Sequence, residues 1–220
     1  MLPVTPSRRL AAQASLIATP VLIAISTTFQ PDFGGSTADR LGAVGSTQAA
    51  ISAVTFLVSQ LPLLVSFLAM GLLLVRAAPR LSAWGTSLGV LGCFAHAVYG
   101  GTSMLELVMA RDESARSTYA ALLDKMESSP VMIFAAVGVL STVLGFLLLS
   151  IGLFRSRTGP VWVGPALWAF LLLEFVGGNF SDYAMYLSGL LLAIAFLALV
   201  PLFRVTTEGA LEPSYADQHS

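Results

Sequence analysis

Apolar residues run almost unbroken along this chain, and polar ones gather in short interruptions. Six apolar stretches stand out, at about 10–29, 52–75, 82–109, 131–154, 160–179 and 184–203. Each has the roughly 20 residues that a helix needs to cross ~30 Å of hydrocarbon. Between them lie "QPDFGGSTADRLGAVGS", "RAAPR", "RDESARSTYAALLDKMESSP", "RSRTG" and "GGNFSD". A membrane β-barrel would alternate apolar and polar with period two. Stretches such as "FLAMGLLLV" and "GLLLAIAFLALV" are continuous instead. The pattern predicts an all-α polytopic bundle: one domain, 1–204, with six transmembrane helices. The polar tail, 205–220, has no apolar period and is expected to be a disordered cytoplasmic segment.

The start, "SRRL" before an apolar run, has the look of a signal peptide, with "AIS" at 24–26 as a cleavage site. The run is long and five more follow, so it is expected to stay as the first span, bent at Pro20. The 110–130 connection contains "STYAALLDKM", a short surface helix for which Ser114 or Ser117 is the expected cap.

Charge sets the direction. Arg8, Arg9, Arg76, Arg80, Arg155, Arg157 and Arg204 flank one side of the six stretches. Arg40, Arg111, Arg116 and Lys125 flank the other, beside Asp32, Asp39, Asp112, Glu113, Asp124, Glu127 and Asp182. The side richer in arginine is expected to be cytoplasmic. Both termini then lie inside, as an even number of spans requires. Trp84, Trp162 and Trp168 fall near the inner starts of spans three and five, where an interfacial aromatic belt belongs.

Composition agrees with a lipid solvent. The chain is 56% hydrophobic and 10% charged, against about 25% charged in soluble domains. A net charge of −1 without a basic cluster gives no support to nucleic-acid binding. The single cysteine, Cys93, cannot form an intrachain disulfide and is expected to be a buried packing residue. HExxH, paired histidines and CxxC are absent, one intramembrane histidine is too few for a haem, and no cofactor is implied. An echo at an offset of 79 pairs Phe67 with Phe146, Arg76 with Arg155 and Gly85 with Gly164. It suggests a repeated hairpin, spans two–three and four–five.

The third stretch departs from the apolar rule. His96, Tyr99, Ser103 and Glu106 are spaced 3, 4 and 3, on one helical stripe about 80° wide. Glu174 in span five, Asp182 in the turn after it and Gln60 in span two fall in the same outer half. Polar groups at that depth normally face a cavity or a partner. These residues are expected to converge on a pocket open to the outside. Three readings stand. The pocket binds or moves a small or lipidic ligand. His96, Glu106 and Glu174 perform acid–base or metal chemistry. Or the polar groups serve packing in an accessory subunit that meets another membrane protein or a second copy, through a small-residue face such as Gly138, Ser141 and Gly145.

The whole layout resembles a bacterial, especially actinobacterial, family of six-span inner-membrane proteins with no assigned function. "SRRL" opens the first span, a short "QPD" follows it, "GGTSMLE" marks the polar third helix and "GPVWVGPALW" enters the fifth. The resemblance implies a multi-pass protein of the bacterial inner membrane and says nothing of chemistry.

Overall fold

The computed structural model describes residues 5–31 and 35–203, apart from the side chains of Val131, Asn179 and Asp182. Asp32, Arg204 and the tail 205–220 lie outside the described residues. Within them every regular element is helical: α1 Pro6–Thr28, α2 Thr37–Val44, α3 Thr47–Leu74, α4 Pro79–Met109, α5 Arg116–Glu127, α6 Ile133–Ser156, α7 Val163–Phe175 and α8 Asp182–Leu199. Five segments are long and apolar enough to cross a membrane: α1, α3, α4, α6, and α8 with its 3₁₀ continuation to Phe203. The protein is therefore a membrane-embedded helical bundle.

α7 is the exception. Its 13 residues reach only about 20 Å at 1.5 Å per residue. The expected span over 160–179 narrows because Pro160 precedes the helix and the chain leaves it at Val176, entering a 3₁₀ turn at Gly177–Asn179. Two glycines in succession favour that departure.

The long helices form a closed ring. α1 packs on α3, α3 on α4, α4 on α6, α6 on α7, α7 on α8 and α8 back on α1. Phe67 and Phe146 meet at the centre with ring centroids 4.6 Å apart, and Phe170 and Phe196 close around Phe146. The two residues that the repeat pairs thus touch each other. The tightest seam joins α4 to α6. A Cβ on Gly145 would stand 2.7 Å from the Gly89 backbone nitrogen, and one on Gly92 2.8 Å from that of Thr142. Only glycine permits so close an approach. The small-residue face of Gly138, Ser141 and Gly145 is consumed inside the bundle: Gly138 meets Ala95, Gly145 meets Gly89, and Ser141 is buried.

Two short helices cover one end of the ring. α2 lies within the polar connection "QPDFGGSTADRLGAVGS". Its Ser36 side chain caps Asp39 N–H while Asp39 caps Ser36 N–H, a reciprocal box that starts a helix despite its eight residues. α5 occupies the expected place, but neither Ser114 nor Ser117 caps it. A 3₁₀ turn, Glu113–Ala115, leads in, and Asp112 caps that turn. α2 and α5 share a small separate core: Leu41, Val44, Ala110 and Leu123. Arg40 pairs with Glu127 at 2.7 Å and Thr37 donates to Asp124 at 2.5 Å, tying the two helices together.

Candidate functional site

A cavity of about 320 Å³ opens where α1, α3 and α4 meet beneath α2. The helical repeat decides which residues face it. α3 presents Ala49, Ser52, Ala53 and Phe56, and α4 presents Tyr99, Ser103, Glu106 and Leu107. α1 contributes Ser26 just before its end, followed by Gln30 and Pro31. Two reciprocal bonds clamp α1 to α3 at the cavity wall: Ser26 Oγ donates to the Ser52 carbonyl at 3.0 Å, and Ser52 Oγ donates back to the Ser26 carbonyl at 2.8 Å. α2 supplies the roof through Arg40 and Val44.

Charge in the cavity is unequal in its commitments. Arg40 gives one guanidinium nitrogen to Glu127, while its Nε is buried without a hydrogen-bond partner among the described residues. Burial works against the Arg40 charge, yet the Glu127 hydrogen bond and the nearby Glu106 carboxylate outweigh it and hold its pKa above the ordinary arginine value. Glu106 makes no hydrogen bond or ion pair among the described residues. The wall therefore offers a partly committed cation and an uncommitted acid, with Phe56, Val44 and Leu107 as its apolar surface. Such a chamber suits a ligand with a polar head and an apolar body.

The sequence stripe divides at this point. Tyr99, Ser103 and Glu106 line the cavity; His96 does not. Its Nδ1 lies 3.1 Å from the Gly92 carbonyl of its own helix and 3.2 Å from Thr142 Oγ1 on α6. A carbonyl only accepts, so that geometry puts a proton on Nδ1. Phe56 stands edge-on to the imidazole, centroids 6.1 Å apart, between α3 and α4. Gln60 is a turn deeper on α3, 6% exposed. Its amide donates to the Phe56 carbonyl at 3.1 Å and to Ser59 at 3.2 Å, leaving Oε1 without a partner among the described residues.

Glu174 belongs to a different seam. It accepts from Ser188 Oγ across the α7–α8 hairpin. α7 packs on α8 and α6, whereas α4 packs on α3 and α6, so the expected convergence of His96, Glu106 and Glu174 does not form. Helix order separates them. Asp182 opens α8, and its side chain lies outside the described residues. Among the described residues no three His, Cys, Asp or Glu side chains gather as a metal would need. Cys93 is buried.

No protein-family model, curated protein or solved structure matches the chain. The site must be judged on its own chemistry. Sequence reasoning missed Arg40, Gln30, Ser26, Ser52 and Phe56 as lining residues. Arg40 had a visible signal, since it follows the Ser36–Asp39 capping pair and so sits on a helix.

Proposed function

We propose that this chain is a six-span protein of a bacterial inner membrane, with both termini cytoplasmic, and that its extracytoplasmic cavity binds a small amphiphilic ligand for retention or passage. The reading rests on one observation: Glu106, a carboxylate in a membrane-spanning helix, faces a roofed cavity beside Arg40 without a bonded partner among the described residues. An acid kept at that depth only for packing would be expected to have a partner, as Glu174 has in Ser188.

The two glutamates make the test. Native mass spectrometry of protein extracted gently from its own membrane should show a discrete bound mass. Glu106→Gln should lose it, and Glu174→Gln should keep it. A bare wild-type protein, or equal loss in both variants, would overturn the proposal.

A further inference from the structure

A second hollow lies at the opposite end of the bundle and is unlike the first. It is a lateral groove of about 500 Å³ between the start of α1, the end of α3 and the start of α4. Its floor is Ala12 and Ala69, 3% and 2% exposed, and its walls include Leu68 and Leu72, 42% and 48% exposed. The groove exists because small residues stand where three helices meet. Gly71 lets α4 come in so closely that a Cβ there would sit 2.1 Å from Thr86 Oγ1, and Ser82 donates to the Gly71 carbonyl at 2.8 Å.

One charged side chain lines this apolar groove, Arg8 in the first turn of α1. It has no ion pair among the described residues. Nor do the other arginines of that end, in the turns joining α3 to α4 and α6 to α7. Those turns and the start of α1 carry no Asp or Glu. Among the described residues that end of the bundle thus carries cations and no acid, and the groove runs from it into the apolar belt.

We propose that the groove is a binding site for one anionic phospholipid of the adjoining leaflet. An acyl chain lies along Ala12, Ala69 and Leu72, and the headgroup phosphate meets the Arg8 guanidinium, whose planar fork matches two phosphate oxygens. That guanidinium charge, set in the groove itself, favours a net negative headgroup over a zwitterionic one. The site is independent of the cavity beneath α2, and neither proposal needs the other.

The test uses the full-length protein in mixed micelles holding equal amounts of phosphatidylglycerol and phosphatidylcholine with the same acyl chains. Native mass spectrometry counts the lipid of each kind that stays bound. Phosphatidylglycerol should be retained over phosphatidylcholine by about five-fold or more, the preference that one arginine near a surface confers. Arg8→Gln should bring the ratio close to parity. Arg155→Gln, which removes an exposed charge from the same end but outside the groove, should leave it unchanged. Ser87→Phe, at the exposed lip, should reduce both bound lipids by filling the groove. All three positions are exposed or at a rim, so the fold is expected to survive. Parity in the wild type, a preference that survives Arg8→Gln, or equal loss in Arg155→Gln would each overturn the proposal.

Discussion

Glu106 and Glu174 both sit in apolar helices yet meet opposite fates, and their hydrogen bonds tell them apart. Glu174 is held by Ser188, which is fully buried and also donates to the Met185 carbonyl. Removing that hydroxyl leaves a half-buried carboxyl without its partner. The cost of such an orphan is about 1–3 kcal/mol. Ser188→Ala should therefore lower the unfolding temperature of the detergent-solubilised protein while the ligand signal of the folded fraction stays as in the wild type. A melting curve alongside native mass spectrometry separates the two effects. Loss of ligand with unchanged stability would mean that the α7–α8 seam, not the cavity beneath α2, is the working site. His96 makes the same point in miniature. A lone histidine on a polar stripe looks functional in sequence, yet its bonds to Gly92 and Thr142 make it a clamp between α4 and α6.

At the scale of elements, the roof is the informative part. α2 is too short to stand alone, so its end caps matter. The Ser36 hydroxyl, and after it the Ser36 N–H, hold the Asp39 carboxyl below its usual value of 3.8. A carboxyl whose pKa is depressed on folding adds stability above its unfolded value and loses it as pH falls through the folded one. Below pH 3.8 the first turn of α2 should begin to open. Hydrogen exchange, corrected for the intrinsic rate at each pH, should show α2 losing protection in acid more steeply in the wild type than in Asp39→Asn. Equal slopes would show that the Asp39 cap does not carry the acid response. Ser36 and Asp39 stand in capping register and signal the helix, but its eight residues hold too short an apolar run to stand out from the polar connection. The long helices were legible to within a few residues because apolar runs report membrane depth directly. What the runs could not report was which helix touches which. Glycines at 85, 89, 92, 138 and 145 bring α4 onto α6, and that seam puts Tyr99, Ser103 and Glu106 opposite α3 rather than α7.

At the scale of the whole molecule, the ring has two unlike ends. One carries the α2–α5 roof and the described acids; the other carries unpaired arginines and no described acid. Trp84 and Trp162, 68% and 46% exposed, face outward near the arginine end, whereas Trp168 turns inward and donates to Ser150 at 2.8 Å. The asymmetry favours the roofed end outside the cell, and α7 is the element that tests that reading. If α7 crosses the membrane, the turn before α8 lies at the roofed end. If its 13 residues stop short, that turn stays within the bilayer, because Gly159 before α7 stands against Leu199 and Leu202 at the end of α8 and the hairpin starts and ends at the arginine end. Cys93 is 1% exposed and serves as a silent background for added cysteines. Ser7→Cys and Ala77→Cys mark the arginine end, Ser114→Cys and Ser128→Cys the roofed end, and Phe180→Cys the turn after α7; all five positions are exposed. A membrane-impermeant maleimide applied to intact cells should label Ser114→Cys, Ser128→Cys and Phe180→Cys, and should reach Ser7→Cys and Ala77→Cys only after the membrane is opened. Phe180→Cys protected together with Ala77→Cys would make the α7–α8 hairpin re-entrant and overturn the six-span reading. Labelling of Ser7→Cys in intact cells would invert the protein, place the cavity beneath α2 on the cytoplasmic side, and make its ligand a cytoplasmic one.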